Sequence, residues 1–146
     1  MSDQTTLSRI ENAIAWYANL PKDFVDVDTL LQAARKLTAR IFEFAGEVGA
    51  LYKARNRTEF QRKAEFSRIF RELMGADPKP SVAAAEKEAD GLVATLRDEE
   101  QQADAEYHAA RLLLDTARAV HDQMRQHISH IKYEMRAEMT GQGAQV

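Results

Sequence analysis

The chain has 146 residues, 45% of them hydrophobic, 29% charged and 8% aromatic, with a formal net charge of −3. That length suits one domain, and that apolar fraction excludes wholesale disorder. Cysteine is absent, which excludes a disulfide framework, zinc–thiolate and iron–sulfur sites and a cysteine nucleophile.

No apolar run approaches the ~18 residues of a membrane span, and the first residues lack a signal-peptide core. A soluble, cytoplasmic protein with no membrane partner is expected. With 6 glycines and 3 prolines there are too few turn residues for a sheet-rich fold. Ala, Leu, Glu, Arg and Gln dominate the stretches between prolines, and these are strong helix formers. The expected fold is all-α: a long antiparallel helical hairpin, coiled-coil-like, with a short N-terminal helix, in a single domain spanning 1–146.

The first helix is expected over 6–19, with Ser8 and Glu11 as a capping box. The second is expected over 28–74, with Asp28 as N-cap. Its apolar stripe runs Leu30, Ala34, Leu37, Ile41, Phe44, Val48, Leu51, lapses at Arg55, Thr58 and Arg62, and resumes at Phe66, Ile69 and Leu73. Gly46 and Gly49 suggest a bend or a close helix approach. Residues 75–80 form the turn, carrying Gly75, Pro78 and Pro80.

The third helix is expected over 81–139, followed by a frayed tail at 140–146. Its stripe is cleaner: Ala103, Tyr107, Ala110, Leu114, Ala117, His121, Met124, Ile128, Ile131, Met135. A mean spacing of 3.5 argues for a left-handed coiled coil, with His121 as a register-setting polar residue. One narrow stripe per helix stabilises an isolated hairpin poorly. The chain therefore closes either as a three-helix bundle with the first helix or by self-association. A homo-oligomer is the preferred expectation, with Leu114, Met124, Ile128, Ile131 and Met135 at the interface.

Charge is segregated. Residues 53–71 carry seven basic and two acidic side chains, a local +5, whereas residues 86–106 carry eight acidic and two basic, a local −6. Folding at the turn sets these segments opposite each other, with Arg55 near residue 103. One role for this pattern is complementarity that fixes register across the hairpin. The other is phosphate binding by cations that face outward. Lys53, Arg55 and Arg57 point to different sides of a helix, so one partner helix cannot meet them all. Tyr52 and Phe60 flank them, and aromatics among cations suit single-stranded nucleic acid. The candidate nucleic-acid-binding residues are Lys53, Arg55, Arg57, Arg62, Lys63, Tyr52 and Phe60.

Catalytic motifs are missing: the sequence has no HExxH, Walker A, GxGxxG or GxSxG pattern. His127 and His130 stand three residues apart without a converging carboxylate set. No catalytic residue, metal site or cofactor is assigned, and a non-enzymatic protein is expected.

Asp28-Thr29-Leu30-Leu31-Gln32-Ala33-Ala34, Lys53-Ala54-Arg55, and Leu113-Leu114-Asp115 with Ala119, Arg125 and Ile128 together resemble the UvsY family of phage recombination mediators, across about residues 26–135. The resemblance implies a ring-like homo-oligomer that binds single-stranded DNA and helps load a recombinase, in a bacterial host cell. The family's DNA-contacting basic residues fall on Lys53 and Arg55. The alternative function is a coiled-coil protein-interaction module: an adaptor, scaffold or small inhibitor of another macromolecule.

Overall fold

The computed structural model describes residues 5–143. They form four helices and, among the described residues, no strand: α1 (Thr6–Ala18), α2 (Val27–Met74), α3 (Val82–Leu92) and α4 (Ala94–Gly143). The all-α class stands, and among the described residues no helix is long and apolar enough to cross a membrane. Packing divides the chain into two compact units, Met1–Glu47 with Leu112–Val146, and Val48–Arg111.

The helix ends depart from the sequence reading where side-chain caps compete. The cap of α1 is Thr5, whose hydroxyl accepts from the Ser8 amide at 3.2 Å; Ser8 lies inside the helix. The cap of α2 is Asp26 rather than Asp28. Its carboxylate accepts from the Thr29 amide at 3.2 Å and the Thr29 hydroxyl at 2.7 Å, satisfying an amide that the first turn leaves orphaned.

The expected helix over 81–139 is two helices. Gly91 weakens the turn, and the ladder stops at Val93, whose amide bonds to Ala89 and Gly91. An ion pair, Arg97 to Asp90 at 2.8 Å, spans the break. Of the expected frayed tail, 140–143 is helical and 144–146 lies outside the described residues.

In the first unit, α1 packs on the opening half of α2 and the closing half of α4. Ile10 is fully buried, as are Leu30 and Met124, with Leu37 and Phe44 nearly so. Each such side chain contributes about 1.5–3 kcal/mol by leaving water. The chain thus takes the three-helix alternative here. That arrangement consumes most of the expected oligomer interface: Leu114, Met124, Ile128 and Ile131 are 0–6% exposed within one chain, because α1 and α2 already cover them. Only Met135, at 54%, remains open.

His121 is half-buried on the same seam, its Nε2 2.8 Å from the Thr38 hydroxyl. That hydroxyl donates to the Ala34 carbonyl at 2.9 Å, so its one proton is spent and the His121 Nε2–H donates to it. The link between α1 and α2 is tied down by His127, whose Nε2 donates to the Phe24 carbonyl at 3.0 Å. The Nδ1 of His127 faces the Tyr17 hydroxyl at 3.5 Å.

In the second unit, α3 and the start of α4 return against the closing half of α2. Ile69, Ala89 and Val93 form its core, with Phe66, Phe70 and Leu73 packed on it. The rings of Phe66 and Phe70 stack at 6.2 Å. α2 runs unbroken through Gly46 and Gly49. A Cβ at either glycine would meet nothing within 4 Å, so neither marks a bend or a close approach.

Candidate nucleic-acid interface

The lapse in the α2 stripe at 55, 58 and 62 is filled by polar seam contacts of the second unit. Arg55 keeps the seam direction of the heptad. Its Nε lies 2.5 Å from Asp104 and its guanidinium carbon 5.4 Å from the Tyr107 ring centroid. Arg55 therefore meets residue 104, one place from the expected opposition. Seven residues on, Arg62 returns to the same side and pairs with Glu100. That hydrogen bond raises the Arg62 guanidinium above its ordinary pKa. Charge-assisted pairs at seam positions fix register.

These contacts remove two of the candidates from any outside ligand. Arg55 and Arg62 are half-buried and engaged. Lys63 is accessible but bonded to Glu59 at 2.6 Å, and that hydrogen bond holds the Glu59 carboxyl below its ordinary range. Tyr52 is 47% exposed, its ring 5.4 Å from that of Tyr107, so one face is occupied by protein.

A groove of about 430 Å³ runs along the seam, lined by Arg55, Glu59, Arg62, Arg97, Glu100, Gln101 and Asp104. Three cations and three acids line it, so it offers no net charge to a polyanion.

The outer face of α2 is different. Lys53 and Arg57 are exposed and make no ion pair among the described residues. Phe60, 72% exposed, follows on the same side. Residues 53, 57 and 60 stand at i, i+4 and i+7, which one helix face shares.

Arg71, also exposed and without an ion pair among the described residues, falls on this face. It was absent from the candidate set, although its spacing of 18 residues from Lys53, five full turns, was readable. Arg68 beside it is held by Glu65 at 2.5 Å and Glu72 at 2.7 Å. The Glu65 bond raises the Arg68 guanidinium and lowers the Glu65 carboxyl.

The seven candidates therefore do not form one site. Lys53, Arg57 and Phe60 share an outward face; Arg55 and Arg62 belong to the seam, Lys63 to a local pair and Tyr52 to an aromatic contact. No family model matches the chain, and no curated protein or solved structure matches it significantly.

Proposed function

We propose that the chain is a non-enzymatic helical protein that binds single-stranded DNA along the outer face of α2. The observation that carries this reading is the outward line of Lys53, Arg57 and Phe60, unpaired among the described residues while the neighbouring cations are engaged. Lys53, Arg57 and Arg71 neutralise phosphates, and Phe60 offers a ring on which a base stacks. The mode is sequence-independent, because every base has a stacking face and phosphates carry no sequence. A recombination-mediator role in the cytoplasm, as a homo-oligomer with a recombinase as protein partner, belongs to the same proposal and draws on the family resemblance.

Three phosphate contacts on a single strand give a log–log salt slope of about −2. Fluorescence anisotropy with a labelled oligonucleotide tests this. In Lys53→Ala with Arg57→Ala the slope falls to about −0.7 and affinity drops at low salt. Absence of binding by the parent protein at low salt overturns the function, and unchanged binding by the double variant overturns the site.

A second reading, a protein-interaction module, is favoured by apolar side chains left open: Phe42 is 84% exposed, Leu112 69% and Met139 74%. A co-purifying protein without any oligonucleotide shift selects it.

A further inference from the structure

We propose that the first unit carries a small-molecule site between α1, the link over 19–26 and α4, and that it takes a small organic carboxylate with an apolar body. The inference is independent of the nucleic-acid reading, since none of its residues lies on α2.

The site is a pocket of about 290 Å³, at the small end of ligand cavities. Ile14, Leu20, Pro21 and Val120 give it an apolar wall, and Tyr17, Lys22, Gln123 and His127 give it polar groups. Ile14, Tyr17, Leu20, Val120 and His127 are half-buried, so packing fixes them while part of each stays open to a guest.

The wall formed by the link is pre-set. The Leu20 amide donates to the Tyr17 carbonyl at 3.2 Å, and the Asn19 side chain donates to the Ala15 carbonyl at 2.9 Å. The ring of Pro21 fixes its φ, and its carbonyl accepts from the Phe24 amide at 3.1 Å. That tight turn places Lys22 at its first corner. The His127 Nε2–H pins the end of the turn through the Phe24 carbonyl at 3.0 Å. A wall held at both ends costs little ordering when a ligand enters.

The chemistry of the pocket selects the guest. Lys22 makes no ion pair among the described residues, and none of the lining residues is acidic. The local charge is therefore positive and favours an anion. Tyr17 and Gln123 add neutral donors. The Tyr17 hydroxyl lies 3.5 Å from the His127 Nδ1, longer than a firm bond, so it is free to turn to a ligand oxygen. Burial raises that hydroxyl above its ordinary pKa of 10.0, which keeps it a donor. The last carbonyls of α1, which would repel an anion, are taken up by Asn19 and Leu20. One ammonium balances one negative charge, which suits a carboxylate better than a phosphate dianion. The apolar body of the guest covers Ile14, Leu20 and Val120.

Phenylacetate and isovalerate are the probes, titrated into nitrogen-15- and methyl-labelled protein. Saturable shifts are expected at Ile14, Leu20 and Val120. The expected Kd for phenylacetate is about 1 mM, which roughly ten non-hydrogen atoms give at ordinary ligand efficiency. Benzyl alcohol, which keeps the ring and lacks the charge, binds about tenfold more weakly. Lys22→Glu also weakens phenylacetate about tenfold. Ala18→Trp sets a ring at the exposed pocket edge and abolishes the shifts. Lys36→Glu makes the same charge change in the separate groove beside Trp16 and leaves affinity within about twofold. Amide spectra check that each variant is folded.

Absence of saturable shifts with both acids overturns the proposal. So does equal affinity for benzyl alcohol, unchanged affinity in Lys22→Glu, or an equal loss in Lys36→Glu. Shifts centred on Trp16 and Lys36 overturn the placement of the site. Oligonucleotide binding by Lys22→Glu is expected to match the parent's, so this site and the α2 face fail separately.

Discussion

Arg55 lies over the ring of Tyr107, guanidinium carbon to centroid 5.4 Å, while its Nε bonds to Asp104 at 2.5 Å. The Tyr107 ring is buried, and its hydroxyl accepts from Arg111 at 3.2 Å. Arg55 is therefore a packing residue of the seam. Arg55→Ala is expected to cost about 1–2 kcal/mol through lost stem packing, the cation–ring contact and the ion pair to Asp104, which keeps its contact with His108 at 3.3 Å. Thermal unfolding measures this; oligonucleotide affinity should hardly change, in contrast to Lys53→Ala with Arg57→Ala.

The Arg62–Glu100 pair, about one-fifth exposed on each side, separates stability from register. Arg62→Ala leaves a half-buried carboxylate and is expected to cost about 1–2 kcal/mol, discounted from a fully buried pair for its solvent access. Arg62→Leu with Glu100→Leu should recover or exceed parent stability, since an apolar layer avoids desolvating two charges. Urea unfolding of the three proteins distinguishes these outcomes; a double variant as weak as the single one would show that the charges themselves stabilise the fold.

Asp26 caps α2, and the Thr29 side chain followed by the Thr29 amide holds its carboxyl below the ordinary 3.8. A group whose pKa is lowered by folding adds stability above its unfolded pKa and loses it as pH falls through the native value. Asp26→Ala is therefore expected to lower Tm by a few degrees near neutrality. That difference should shrink as pH falls below about 4. Melting curves at pH 7 and pH 3 check the sign.

Gly46 and Gly49 leave α2 continuous with open space where a Cβ would stand. Gly46→Ala and Gly49→Ala are each expected to stabilise the chain by roughly 1 kcal/mol, through helix propensity alone. A higher urea midpoint with an unchanged slope is the expected readout.

The His127 Nε2–H holds the Phe24 carbonyl. His127→Ala removes one neutral hydrogen bond, worth about 1 kcal/mol, so amides around Phe24 should exchange about fivefold faster. Nitrogen-15 spectra of the parent should place the proton of neutral His127 on Nε2, and unaltered exchange would show that the link is held by other contacts, such as Trp16 against Phe24 at 6.4 Å.

Helical periodicity made the buried positions readable. Leu30, Leu37, Phe44, Tyr107, Leu114 and Met124 are buried on the stripe that their spacing marks. The same spacing placed Arg55 opposite residue 103, against Asp104 in the structure. The caps were harder, because Thr5 and Ser8, or Asp26 and Asp28, are chemically equal candidates until the backbone chooses. The split at Val93 was missed for a related reason: Gly91 signals a weak turn, but whether the helix breaks depends on whether Val93 has a core to enter.

The candidate site was legible in its composition and not in its division. Counting cations over 53–71 located the basic stretch, yet Arg55 and Lys53 look alike in a string of letters. Two residues is 200° around a helix, so one points into the seam and the other away from it.

The amino-acid order by itself determined the helical class, the turn between α2 and α3 and the apolar stripes, since these follow from local propensity and a period of 3.5 residues. The tertiary structure alone decided that α1 closes the first unit over would-be interface residues, and that Arg55 and Arg62 are held by acids while Lys53 and Arg57 are not. Those outcomes depend on which helix faces meet, and a face is defined only once a second helix lies against it.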